Sequence, residues 1–372
     1  MAHFSRFLVL GLITAFALRA AEPIRIGEFA SLTGKEATYG QAAHRGTLLA
    51  VEEINAAGGV LGRPLALVTE DTQSKAGQAG TIVRKLISRD KVVAILGEVA
   101  SSRSLEAAPI CQTAKIPMIT PASTAPEVTA RGNYIFRACF IDPFQGTVLA
   151  KFARRTLKAN RVAMLTAATS AESVGLARYF REQFTGAGGE ITLEQKYNEG
   201  EKDFRAQLTA IRAAKVDGLF VPGYYAEAAL ICKQARELGI TAAIFGIDGW
   251  ESPEIVRIGG AAVEGCYFAT HFSPENQADH AAKFNRRYQE RWGMPSDTLA
   301  GLGYDSVLML VEAMKRAGSA EPAKVRDALA ATKDLHGVTG TITLDAQRNP
   351  TKSAVVLQIR DGKFHFVEEI EP

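Results

Sequence analysis

Short apolar runs alternate along the chain with longer stretches whose apolar residues recur every three or four positions. The runs "PIRIGEFA", "PLALVTED" and "VVAILGEVA" predict strands, and "GQAAHRGTLLAVEEINAAGG" predicts a helix that stops at Gly58-Gly59. A second helix is expected in "AGTIVRKLISRD", and a third from Ser102 leads into the strand "IPMITPA". The segment "YIFRACFIDPFQG" marks a crossing, because Asp142-Pro143 is a turn signal. A second series follows: strand "RVAMLTA", helix "VGLARYFREQFTGAGG", strand "EITLEQKY", and helix "DFRAQLTAIRAAK" with Phe204, Leu208 and Ile211 on one face. "DGLFVPG" and "AAIFGIDG" then flank a helix ending at Gly239. Near the end, "GYDSVLMLVEAMKRAG" carries the stripe Val307, Leu310, Val311 and Met314, and "AVVLQIR" and "KFHFVEEI" form a hairpin through Asp361-Gly362.

Continuous apolar strands alternating with helices predict an α/β protein of two lobes, each a mostly parallel sheet flanked by helices. In such folds ligands sit beyond the carboxyl ends of the strands. The chain has 372 residues, enough for two ordinary domains, and 47% of them are hydrophobic. Its net charge is only +3, with no Lys/Arg block or basic stripe, so nucleic acid is not an expected partner.

The first residues change the picture. "MAHFSR", the apolar run "FLVLGLITAFAL" and "RAAEP" follow the order of a secretory signal peptide, expected to occupy residues 1–21 with cleavage after Ala20 or Ala21. An uncleaved anchor is the other reading, while the lack of a nearby Cys argues against a lipid anchor. The expectation is an exported, soluble mature protein. The four cysteines, Cys111, Cys139, Cys232 and Cys266, make no C-x-x-C pair and have no His at metal-ligand spacing. Cys111 and Cys232 are expected to pack inside Ala-rich helices, and no metal or cofactor is expected.

An enzyme would need a constellation that is missing: there is no G-x-S-x-G, H-E-x-x-H, Walker A or G-x-G-x-x-G motif. His44 and His280 fall in polar helical contexts and are expected at the surface. No catalytic residue is assigned.

Hydroxyls cluster at strand ends instead. In "GEVASS", Ser101 or Ser102 can cap a helix, or the helix end can receive an anion. In "TPASTAPEVT", Thr124-Ala-Pro-Glu127 fits a capping box, with equal weight on a structural and a functional Thr124. Repetition favours function, because two adjacent strands can place several neutral donors around one carboxylate. Asp248-Gly249 in "FGIDGWESP" is a turn that could also accept an ammonium, and "VPGYYAEAA" puts Tyr224 and Tyr225 at a further strand end.

Taken together, "INAAGGVLGRPLALVTEDTQS", "AILGEVASS", "IPMITPASTAPEVTARG", "GEKDF", "DGLFVPGYY" and "FGIDGW" resemble, in that order, the leucine/isoleucine/valine-binding family of type I periplasmic binding proteins, which serve ABC importers. The resemblance covers nearly the whole mature chain. It implies two lobes joined by three crossings, residues 22–142 plus 272–350 and residues 143–271 plus 351–372, closing on a ligand by a hinge. It implies that Ser101 and Thr124 bind the ligand carboxylate by hydroxyl, helped by Ala122, Ser123 and nearby backbone. Tyr224 and Asp248 would receive the α-amino group, and Tyr39 would form the cleft wall. Two departures stand out. Glu172 replaces an aromatic residue, and Gln73 and Ala100 replace a cysteine pair found in some members. Glu172 is expected to point to solvent, the other reading being that it lines the pocket and favours a polar or cationic ligand group.

The leading expectation is therefore a periplasmic receptor that binds a branched-chain or related amino acid and hands it to an ABC permease, acting as a monomer. The alternative is a sensor or uptake receptor for amides, urea or another small solute. An enzyme ranks third.

Overall fold

In a computed structural model of the chain, residues 22–275 and 278–372 are described; the expected signal segment lies outside them. The first series runs β1 (Ile24–Ala30), α1 (Ala37–Ala56), β2 (Leu65–Asp71), α2 (Gln78–Ser88), β3 (Ala94–Leu96), α3 (Ser101–Ala114), β4 (Met118–Thr120), the single turn α4 (Glu127–Ala130) and β5 (Ile135–Arg137). Its strands form one parallel sheet in the order β2-β1-β3-β4-β5.

The second series runs α5 (Asp142–Arg155), β6 (Arg161–Ala167), α6 (Ala171–Gly186), β7 (Glu190–Tyr197), α7 (Arg205–Ala214), β8 (Gly218–Val221), α8 (Tyr225–Glu237) and β9 (Ala243–Gly246). A 3-10 turn over Asp248–Trp250, α9 (Pro253–Gly259) and β10 (Tyr267–Thr270) complete it. After α10 (Asp279–Trp292), α11 (Thr298–Ala317), α12 (Pro322–Ala330) and the small ladder β11 (Leu335–Gly337) with β12 (Gly340–Ile342), the hairpin β13 (Ala354–Arg360) and β14 (Lys363–Ile370) returns to the second sheet. That sheet has the order β14-β13-β10-β9-β8-β6-β7, parallel except at the hairpin.

Both sheets repeat one topology. Each starts at an inner strand, steps once outward, then crosses back to add strands on the other side. The order reverses between β1 and β3 and between β6 and β8, and a crevice opens at the carboxyl ends beside such a reversal. The chain changes sheets at Asp142, after β10, and before β13, which is why one crossing begins at the Asp-Pro turn.

Packing follows the apolar stripes. Phe204, Leu208 and Ile211 are fully buried, as are Val307, Leu310 and Met314 of α11. Helix α11 belongs to the late part of the chain but packs on α1 of the first sheet. Close approach demands glycine there: a Cβ on Gly46 would sit 1.8 Å from the Ala300 carbonyl oxygen, and one on Gly303 would sit 2.2 Å from that of Ala43. Cys111 and Cys232 are buried on α3 and α8, and the Sγ atoms of Cys232 and Cys266 lie 3.9 Å apart as free thiols. Among the described residues no helix is long and apolar enough to cross a membrane, and no group of three His, Cys, Asp or Glu side chains is placed to hold a metal.

One surface expectation needs correction. His280 is exposed, but His44 is half-buried, with Nδ1 2.6 Å from Glu28 Oε2. Glu28 is a buried strand residue, and its hydrogen bond raises the His44 pKa, against the opposing effect of burial.

Candidate ligand-binding cleft

The carboxyl ends of the two sheets face each other, and a small cavity lies between them. Its wall is made by Tyr39, Val99, Ala122, Glu172, Tyr224, Asp248, Gly249 and Leu299. Five of the eight residues expected from the sequence line it. Tyr39 comes from the first turn of α1, Ala122 from the loop after β4, Glu172 from the first turn of α6, Tyr224 from the position preceding α8, and Asp248 from the turn after β9.

The hydroxyls behave differently from simple caps. The residue preceding α3 is Ala100, which has no capping side chain, so the first N–H groups of this 14-residue helix lack a side-chain acceptor. Ser101 is the first helical residue, and its Oγ accepts the Ala125 N–H at 3.3 Å. The capping box at Thr124 does not form. Helix α4 begins at Glu127 without a side-chain cap, and the Thr124 hydroxyl instead donates to Glu172 Oε1 at 3.3 Å. Ser123 is turned away from the cavity: its hydroxyl reaches the Glu98 carbonyl at 2.9 Å and Ser104 Oγ at 2.7 Å.

Glu172 does not point to solvent. It is only 6% exposed and forms part of the cavity wall, because it sits on the first turn of α6 and α6 starts directly beneath the cleft. Burial, then the neighbouring Asp248 and Asp142, push its pKa well up, while hydrogen bonds from Tyr224 and Thr124 act the other way.

Asp248 is held by two donors, Gln145 Nε2 at 2.9 Å and His271 Nε2 at 3.0 Å. His271 is fully enclosed, stacks on Phe140 with ring centroids 3.7 Å apart, and has its pKa lowered by burial. A proton on Nε2 lets the ring donate to Asp248. Asp142, the first residue of α5, is 1% exposed, and neither of its oxygens has a hydrogen-bond partner. Its pKa is raised to about 7, chiefly by burial, with the Thr124 hydroxyl nearby as the main opposing influence. Asp142, Gln145, His271, Val99 and Leu299 were not anticipated as site residues. The signal for the first two was present: three positions apart on one helix, they share a face.

Contacts cross the cleft. The Tyr39 hydroxyl donates to the Gly249 carbonyl, and its ring packs edge-on against Tyr224 and Tyr225 with centroids 5.6 and 5.1 Å apart. A Cβ at Gly249 would lie 2.7 Å from Tyr224 Cδ1, so only glycine permits this approach. Tyr225 donates to the Lys35 carbonyl at 2.9 Å, and Lys35 Nζ lies 3.2 Å from Glu199.

Two sheets of matching topology, meeting at strand ends around a cavity walled by tyrosines, acids and small or apolar residues, define a two-lobed solute-binding protein of the α/β class. The comparisons agree. The chain belongs to the periplasmic binding protein family, whose profile matches residues 23–363. It is 33% identical over 334 residues to a leucine-, isoleucine-, valine-, threonine- and alanine-binding protein of Pseudomonas aeruginosa, covering 88% of each chain. Its fold is similar to that of a leucine-binding protein, LivK, from Thermotoga maritima (TM-score 0.90, 39% identity, 94% of this chain and 99% of that one). It is also similar to LivJ, a branched-chain amino acid transporter substrate-binding protein of Streptococcus pneumoniae solved with isoleucine (TM-score 0.89, 34% identity, 94% and 100%).

Proposed function

We propose that this protein is the exported receptor of an ABC importer and captures one amino acid of the leucine, isoleucine and valine class between its lobes. The lobes are residues 22–142 with 272–350 and residues 143–271 with 351–372. The three crossings serve as the hinge, and closure buries the ligand. Ser101, Thr124 and backbone groups near Ala122 take the carboxylate. Asp248 and Tyr224 take the ammonium. Val99, Leu299 and the Tyr39 ring offer the apolar surface that an aliphatic side chain needs. The closed protein then docks on a membrane permease as a monomer, in the periplasm, with no cofactor and no chemistry of its own.

The observation that carries this reading is the division of the cavity wall. The doubly hydrogen-bonded Asp248 stands in it as an acceptor for an ammonium, while Ala122 marks the loop whose Thr124 hydroxyl reaches the wall at Glu172, the side proposed for the carboxylate. A second reading, capture of a neutral amide or urea, is favoured by the Glu172 carboxyl beside Thr124, which can accept an amide N–H. A thermal-shift screen of amino acids, their amides and urea separates the two. A ligand at a hundred times its Kd stabilises by about 2.7 kcal/mol, so an amino acid should raise Tm by several degrees. A shift with amides alone would favour the second reading.

A further inference from the structure

Glu172 stands where a second carboxylate is costly. Its Oε1 is 3.3 Å from the Thr124 hydroxyl, the group on which the ligand's carboxylate would rest. Asp142 lies behind it, buried and without a hydrogen-bond partner, and its Oδ2 would be 3.3 Å from a Cβ on Gly175, one turn along α6 from Glu172. No Lys or Arg lines the cavity. Arg137, buried in the first sheet, donates to the carbonyls of Ser123 and Ala125. An incoming carboxylate would therefore meet acids with no cation in the cavity wall, only the buried Arg137 charge acting on Asp142 from behind, and like charges a few ångströms apart at low dielectric repel strongly. A proton on Glu172 removes the repulsion and supplies a short O–H donor to the anion.

We propose that Glu172 binds the ligand's carboxylate as a neutral carboxylic acid, so that capture of a zwitterionic amino acid is coupled to a proton held on this side chain. The inference rests on the amino-acid reading above. The groups facing Glu172 are Asp142 of α5, Asp248 after β9, Tyr224 before α8, Tyr39 of α1, and Thr124. None carries a positive charge, and burial lowers the pKa of His271 beyond Asp248. Burial and the acids raise the Glu172 pKa, which fits this role. The sign follows. Affinity is complete while Glu172 is protonated in the free protein. It falls as pH rises above that pKa, by up to about tenfold per pH unit, until the higher pKa of the complex is passed. A cationic ligand would produce the reverse, with proton release and tighter binding as pH rises.

The test is calorimetric titration of the purified protein with L-leucine and L-lysine from pH ~5 to ~9, in buffers of differing ionisation heat. The expected result is net proton uptake with leucine and weaker binding as pH rises. Glu172→Gln should bind leucine at least as tightly as wild type near pH 8, with a flattened pH response, whereas Asp142→Asn should keep the fall. The proposal is overturned by pH-independent leucine binding without proton uptake. It is equally overturned if a folded Glu172→Gln protein loses tenfold or more in leucine affinity at low pH, or if lysine binds more tightly than leucine with proton release. If none of the common L-amino acids binds either protein at any pH, the amino-acid reading itself fails and this inference falls with it.

Discussion

Replacing Asp248 with asparagine should cost more affinity than any other single change in the cleft. The side chain accepts from Gln145 at 2.9 Å and His271 at 3.0 Å, so its oxygens are aimed before the ligand arrives. It is 9% exposed, and an α-ammonium bound there would leave its water behind. An asparagine keeps the shape but turns an amide N–H₂ toward one of the two donors or toward the ammonium. Stranding a desolvated charge in this way costs about 3–5 kcal/mol, roughly a hundred- to several-thousand-fold in Kd. Asp248→Ala should be as harmful to binding and worse for folding, because two buried donors lose their acceptor at about 1–3 kcal/mol each. Calorimetric titration with L-leucine gives Kd, and far-ultraviolet circular dichroism confirms that the asparagine variant is folded. A folded Asp248→Asn protein that binds leucine within about threefold of wild type, a change below 1 kcal/mol, would refute the assignment of the ammonium site.

Three further outcomes are expected. Ser101→Ala with Thr124→Ala should weaken leucine binding by roughly 2–4 kcal/mol, at about 1–2 kcal/mol per lost hydrogen bond; a lower Tm with unchanged Kd would make both hydroxyls structural only. Tyr39→Phe removes the hydrogen bond to the Gly249 carbonyl across the cleft and should raise the dissociation rate several-fold, at about 1 kcal/mol, in stopped-flow or surface-plasmon measurements. Glu98, Asp142 and Glu251 have pKa values raised to about 7, 7 and 8, all chiefly by burial. Groups raised on folding stabilise fully below their unfolded values and lose that contribution as pH climbs toward the folded ones. Ligand-free Tm should therefore fall between pH 5 and 8, and Glu251→Gln should lessen the fall, up to about 1.4 kcal/mol per pH unit for that group.

The long elements were legible because their patterns are long. Helices α1, α6 and α7 carry clear apolar faces, and buried parallel strands such as β6 are nearly all apolar. Helix α10 carries only a thin apolar stripe, Ala281, Phe284 and Tyr288, among many charged residues, so its pattern is weak. Strand β10, four residues long, is fixed by pairing with β9 and β13, which are distant in sequence. The cavity lining was readable where strand ends carry unusual residues, as at Tyr224 and Asp248. It was misread where a side chain's direction depends on another segment. Glu172 looked like a solvated loop acid because nothing nearby in sequence reveals that Thr124 and Tyr224 close over it. Ser123 looked like a ligand donor because its partners, the Glu98 carbonyl and Ser104, come from the loop after β3 and from α3. His271 belongs to the site only through Asp248, a contact across 23 positions.

The most direct test of amino-acid capture between the lobes is a crystal structure of the protein grown with saturating L-leucine. One leucine should lie in the closed cleft, with its carboxylate on Ser101, Thr124 and the start of α3, its ammonium on Asp248 and Tyr224, and its side chain against Val99, Leu299 and Tyr39. A cleft that closes without leucine in it, or a leucine whose carboxylate faces Asp248, would contradict the account.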